Sequence, residues 1–204
     1  MLFLTASAVQ AERITIVALG DSLTQGYGLP DWEGFVPVME GWLHAKGVDV
    51  QVNNAGVSGD TSAGGLERAE WALYGKVHGV IIAFGGNDML RGFPPELVRS
   101  NLAQIIEIAQ GYEVDVLLVG MSATLNYGQQ YKDEFDAVYP SLAEEYGVAL
   151  YPDFIGAISD GRTMAEIQEF MQGDGLHPTA EGVQMIVGEM GHSVLGLIDR
   201  MDHW

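Results

Sequence analysis

Cysteine is absent from all 204 residues, which excludes disulfide bonds, thiolate metal sites and a cysteine nucleophile together. Basic residues are scarce: 9 Lys and Arg stand against 28 Asp and Glu, for a net charge of -19. Such a chain repels a nucleic-acid phosphate backbone or an anionic lipid surface. No apolar run reaches the roughly 20 residues that a membrane-spanning helix needs, which argues against integral membrane association. Nor does a repeat period, low-complexity stretch or Pro-rich or Ser-rich linker divide the chain. With 48% apolar residues, the expectation is one domain with a sizeable core. The acidity reads as a solvated surface, or as adaptation to a salty medium.

Met1 to Ala11 is small and apolar and closes on Val9-Gln10-Ala11, the form of a secretory cleavage site without the usual basic start. We read it as a shortened signal peptide ahead of a domain over residues 12–204, which implies a periplasmic or secreted protein. An added strand or helix is the structural alternative.

Beyond it, short apolar runs alternate with helical stripes. Ile14 to Leu19, Asp49 to Asn53, Val77 to Phe84, Val114 to Gly120 and Val148 to Tyr151 read as strands covered on both faces. Phe35, Val38, Met39, Trp42 and Leu43 follow helical spacing, as do Val98, Leu102, Ile105 and Ala109 after the start signal Pro94-Pro95. A third stripe runs through Tyr131, Phe135, Val138 and Leu142, and a C-terminal one from Val183 to Leu197. Strands and helices in alternation predict a three-layer α/β/α domain on a parallel sheet.

Ligands of such sheets sit beyond the carboxyl ends of the strands, and the chemistry-bearing residues cluster there. Gly20-Asp21-Ser22-Leu23 follows the first strand, so Ser22 is a candidate nucleophile on a tight turn. Gly59 follows the second strand and Asn87 the third, after Gly85-Gly86. The Ser22 and Gly59 N–H groups and the Asn87 amide could together hold a developing oxyanion. Taken singly, a Gly-rich turn or an Asn-Asp pair is often only a cap or a turn. A serine needs a base. His44, His78, His192 and His203 read as structural or surface groups, whereas His177 lies in Gly173-Asp174-Gly175-Leu176-His177-Pro178, where the glycines let Asp174 fold back to orient the imidazole. Helix capping is the alternative role for that pair.

These four blocks, Gly20-Asp21-Ser22-Leu23, Ser58-Gly59-Asp60-Thr61, Gly85-Gly86-Asn87-Asp88 and Asp174-Gly175-Leu176-His177-Pro178, resemble the signature blocks of the SGNH (GDSL) hydrolases, in order and through essentially the whole chain after Ala11. Ser58 to Ser62, Asn87 to Gly92 and Tyr127-Gly128 through Tyr139-Pro140 are similar to the small bacterial thioesterase, lysophospholipase and arylesterase branch. The resemblance implies a flavodoxin-like sheet, an exported protein, Ser22, His177 and Asp174 as catalytic triad, and Ser22, Gly59 and Asn87 as oxyanion hole. Phe154 to Met171 matches no block; an insertion there would shape the pocket rim. Thr24 stands where a Gly-x-Ser-x-Gly elbow needs its second glycine, which excludes the α/β-hydrolase pattern.

The expected activity is hydrolysis of small acyl esters or thioesters with short-to-medium chains, without metal or cofactor. Met89, Leu90 and Phe93 follow Asn87 and are expected to contact the acyl group. Asp21 and Asp88 are expected to shape their loops. A carbohydrate O-acetylesterase would use the same machinery. A flavodoxin-like module cradling a flavin phosphate at Ser22 to Gly26 is the reading from another class.

The charge carries its own prediction. Moderate sodium chloride should screen self-repulsion and raise the thermal midpoint. A thermal-melt series from low to moderate salt checks this, and a flat or falling midpoint would show that the acidic groups are dispersed or locally compensated.

Overall fold

Five parallel strands, β1 (Ile14–Gly20), β2 (Val50–Gly56), β3 (Gly79–Ala83), β4 (Asp115–Val119) and β5 (Ala149–Tyr151), form one sheet in the order β2-β1-β3-β4-β5. This is seen in a computed structural model that describes residues 13–201. The expected signal segment Met1 to Ala11 and His203 lie outside the described residues. No described helix is long and apolar enough to cross a membrane.

All five expected strands are present, and the sheet is the three-layer, flavodoxin-like arrangement anticipated. One boundary differs usefully. β2 continues past Asn53 to Gly56 because Ala55 and Gly56 pair with Leu19 and Gly20. As an edge strand with exposed Asn53 and Asn54, this end has no apolar alternation to betray it, and the pairing alone holds it extended.

Helices cover both faces. On one side α2 (Phe35–Ala45), α8 (Gly156–Ser159) and α10 (Ala180–Met201) pack together. On the other lie α3 (Ser62–Ala72), α5 (Pro95–Gly111) and α7 (Val138–Tyr146). The short α1 (Ser22–Gln25) and α4 (Gly86–Leu90) start directly at the ends of β1 and β3, while α6 (Gly128–Asp136) precedes α7 and α9 (Met164–Gln168) follows α8. The stripe expected over Tyr131 to Leu142 is shared by α6 and α7, which meet at Ala137. Its aromatic half packs in sequence, Tyr131 stacked on Phe135 at 5.8 Å and Phe135 edge-on to Tyr139 at 5.9 Å. The core joins Ile16 to Leu19, Val80 to Phe84 and Val116 to Val119 with the helix stripes, including Met39, Leu102, Ile105, Ile186 and Met190.

The ladder ends where the site begins. The Tyr139 hydroxyl, fully buried, donates to the Phe84 carbonyl at 3.0 Å. A Cβ on the neighbouring Gly85 would lie 2.0 Å from that hydroxyl, and Gly85 has φ +126, a conformation that strains any other residue. Gly85→Ala should therefore cost about 2–4 kcal/mol, from overpacking and backbone strain combined. Tyr139→Phe in the same chain should restore part of the loss. Urea unfolding of the single and double variants checks this.

Candidate active site

The strand order places the site. β1 has β2 on one side and β3 on the other, so the loops leaving β1 and β3 diverge to opposite faces and open a crevice at the carboxyl ends. Ser22 is the first residue of α1 directly after β1, with Asp21 as N-cap accepting from the Leu23 N–H at 3.0 Å. Asn87 lies in α4 after β3, and its amide donates to the second oxygen of Asp21 at 3.2 Å. Asp21 thus ties the two loops together. It is buried, and burial pushes its carboxyl up to about 6, against the lowering pull of the Leu23 N–H, the Asn87 amide and the His177 charge.

Gly59 arrives from β2 on a turn that two arginines hold. Arg68 of α3 donates to the Gly20 carbonyl at 2.8 Å, to the Ala55 carbonyl at 2.6 Å and to Asp60 at 2.7 Å. Arg91, just past α4, donates to the Gly59 carbonyl at 2.8 Å. A second anchor is buried: Asp88 accepts from the Ser62 N–H at 2.8 Å and the Ser62 hydroxyl at 2.7 Å, and Asn101 donates to that hydroxyl at 2.9 Å. Asp21 and Asp88 therefore shape loops, as expected from sequence.

From the far end of the chain, the loop before α10 delivers His177. Its Nε2 lies 2.8 Å from Ser22 Oγ, and its Nδ1 lies 2.6 Å from Asp174 Oδ2. The other Asp174 oxygen accepts from the Leu176 and His177 N–H groups at 2.9 and 3.1 Å. The hydrogen bond from His177, then that from Leu176, draws the Asp174 carboxyl down to about 2. Gln172 secures the loop: its N–H donates to the His177 carbonyl at 2.7 Å, and its amide donates to the Tyr27 and Pro178 carbonyls at 2.8 and 2.9 Å. The Tyr27 ring lies 4.6 Å from the imidazole. His44, His78 and His192 take no part. His44 bonds the Val50 carbonyl, His78 accepts from the Thr15 N–H, and His192 packs edge-on to Trp42.

A cavity of about 360 Å³ opens beside these groups, lined by Ser22, Gly59, Asn87 and His177 and walled by Leu23, Met89, Leu90, Met121, Ile155 and Met171. Ser22, Gly59, Asn87, Asp174 and His177 thus come together, and Met89 and Leu90 line the cavity. Phe93 does not line it. The chain reverses at Gly92, and the Phe93 carbonyl instead accepts from the Tyr131 hydroxyl at 2.9 Å. Sequence reasoning overlooked Tyr27, Arg68, Met121 and Gln172, while Ile155 and Met171 come from the Phe154 to Met171 stretch expected to shape the rim. Of the overlooked residues only Met121 had a usable signal, its position just beyond β4.

The buried Asp21 yields a pH prediction. Its folded-state value near 6 exceeds the ordinary 3.8, so its contribution to stability is fully present below about pH 4 and is lost as pH rises through about 6. Relative to wild type, Asp21→Asn should gain on the order of 2–3 kcal/mol between pH 4 and 7. Urea unfolding at several pH values checks the slope, whatever constant offset the amide introduces.

Comparison with known proteins places the chain in a family. The GDSL-like Lipase/Acylhydrolase family profile matches residues 18–185. Esterase TesA of Pseudomonas aeruginosa is 38% identical over 170 residues, 83% of this chain and 82% of that protein. Thioesterase 1/protease 1/lysophospholipase L1 of Escherichia coli K12 is 33% identical over 206 residues, 98% and 91% respectively. The crystal structure of AlinE4, an SGNH-hydrolase family esterase, superposes with TM-score 0.75 and 40% identity over 92% of this chain and 97% of that one. With its profile match spanning most of the sequence and its residues converging at the sheet's carboxyl edge, the chain belongs to the GDSL-like lipase/acylhydrolase family.

Proposed function

We propose that this protein is an exported serine ester hydrolase, built as one domain over residues 12–204, that cleaves carboxylic esters and thioesters of short-to-medium acyl chains through an acyl-enzyme. The observation that carries the reading is the unbroken hydrogen-bonded line from Asp174 through His177 to Ser22, with contacts of 2.6 and 2.8 Å, at the mouth of a largely apolar cavity. The names of the relatives, an esterase and a thioesterase/lysophospholipase, support the same chemistry.

With the proton of neutral His177 on Nδ1, donated to Asp174, Nε2 is free to accept from the Ser22 hydroxyl. As Oγ attacks the acyl carbonyl, His177 takes the proton, and the nearby Asp174 carboxylate stabilises the imidazolium. Negative charge gathers on the carbonyl oxygen. The Ser22 and Gly59 N–H groups donate to no acceptor among the described residues, and Asn87 has a second amide hydrogen beyond the one given to Asp21. All three donors can meet that oxygen. His177 then protonates the leaving alcohol or thiol, and water repeats the sequence on the acyl-enzyme. The acyl chain lies along Met89 and Leu90. Phe93 has no part in this contact.

Ser22→Ala should abolish hydrolysis and fluorophosphonate labelling while the protein stays folded. Asn87→Ala should lower kcat on the order of 100-fold or more with little change in KM. Leu90→Ala should flatten the rise of kcat/KM with chain length, since each buried methylene is worth at most about 0.8 kcal/mol. Assays on 4-nitrophenyl acetate to octanoate check all three. Undiminished labelling of folded Ser22→Ala would overturn the triad, and best activity on acetylated sugars would favour a carbohydrate esterase.

A further inference from the structure

Polar side chains, Thr124 among them, interrupt the apolar walls of the cavity. Ser122, just beyond β4, and Asp153, just beyond β5, both line it. Asp153 is half-buried. Its carboxylate accepts from the Ile155 N–H at 3.2 Å, and the nearby Ser122 hydroxyl favours its charged form. The two carboxylates whose charges bear on it, Asp160 and Asp136, repel it, and burial pushes it above the ordinary carboxylate value.

A carboxylate beside an acyl pocket has a consequence for substrate. An unsubstituted chain that reaches Asp153 strips water from a carboxylate and returns no hydrogen bond, which is costly. A hydroxyl on the chain returns that bond to a lone pair that Ile155 leaves free, and the Ser122 hydroxyl beside it can donate or accept in turn. The strand order sets the direction. Ser22, Asn87, Ser122 and Asp153 follow β1, β3, β4 and β5, which are successive neighbours in the sheet. A chain esterified at Ser22 and running past Met89 and Leu90 of α4 is therefore directed toward Met121, Ser122 and Asp153.

Resting on the esterase reading above, we propose that Asp153 and Ser122 form a subsite for a hydroxyl group on the acyl chain, so that the preferred substrates are esters or thioesters of hydroxylated short-to-medium fatty acids. Neither residue touches the reacting atoms. Their role is in specificity, and no bond is made or broken there.

The test is a pH-stat comparison of methyl hexanoate and methyl octanoate with the same esters carrying a hydroxyl at C3 or at the chain end, and with the chain-end amines. The hydroxyl at the position that reaches Asp153 should raise kcat/KM about tenfold over the parent ester. Asp153→Leu should remove that ratio, and Ser122→Ala, at an exposed site, should reduce it even if the first variant does not fold. Cleavage of the plain esters with no gain at any hydroxyl position, or a ratio that survives in folded Asp153→Leu, overturns the subsite alone. A gain for the amines only would indicate charge pairing and overturns the hydroxyl assignment. Failure of the wild-type protein to cleave any ester overturns the esterase reading, and the subsite with it.

Discussion

At the ends of β1 and β2 a side chain reinforces the last backbone hydrogen bonds of the sheet. Two carbonyls there, Gly20 and Ala55, receive hydrogen bonds from a single guanidinium, Arg68 of α3, which also pairs with Asp60. Buried polar backbone groups are costly to leave unpaired, and this fork, alongside the Val57 N–H that also donates to the Gly20 carbonyl at 3.0 Å, holds the two strand ends and the Gly59 turn together. Much of the site depends on it. Gly20 leads directly into Asp21 and Ser22, Asp60 follows Gly59, and a planar, permanently charged group with fixed donor geometry suits three acceptors at once better than a lysine could.

The remaining anchors follow the same logic of one side chain bridging two loops. Asp21 joins the β1 loop to Asn87, Asp88 joins α4 to the start of α3, and Gln172 joins the His177 loop to Tyr27. None of these contacts is a surface ion pair, the kind of interaction worth least. They fix the relative positions of Ser22, Gly59, Asn87 and His177, the fixed arrangement that the proposed mechanism needs. The cost is visible at Asp21. Its carboxyl is held in a place that favours its neutral form, yet the bonds from Leu23 and Asn87 favour the charged one. A site held by competing terms of this kind gives up stability for fixed orientation.

A chain with charge -19 also has to place its carboxylates with care. Most of them face solvent. Those near the cavity differ from one another through their surroundings. Asp174 is stabilised as an anion by His177 and two N–H groups, Asp21 is pushed the other way by burial, and Asp153 is raised by burial without a cation to offset it. Three chemically identical groups thus sit in three different electrostatic environments.

Much of this was legible in the residues. Apolar runs marked all five strands, and glycine-bearing blocks at their ends marked Ser22, Gly59, Asn87, Asp174 and His177, because a tight turn at a strand end and a short Asp-x-x-His spacing are local constraints written in consecutive positions. What sequence did not reveal was set by distance across the fold. The extension of β2 to Gly56 depends on pairing with β1, the exclusion of Phe93 on the reversal at Gly92 and the bond from Tyr131, and the cavity walls Met121, Ile155 and Met171 on how β4, β5 and the 154–171 segment close over the crevice. Local spacing determined which residues could carry the chemistry. The parallel order of the strands and the packing of the loops beyond them decided which residues meet, because contact between groups some 150 positions apart, such as Ser22 and His177, has no signature in either neighbourhood alone.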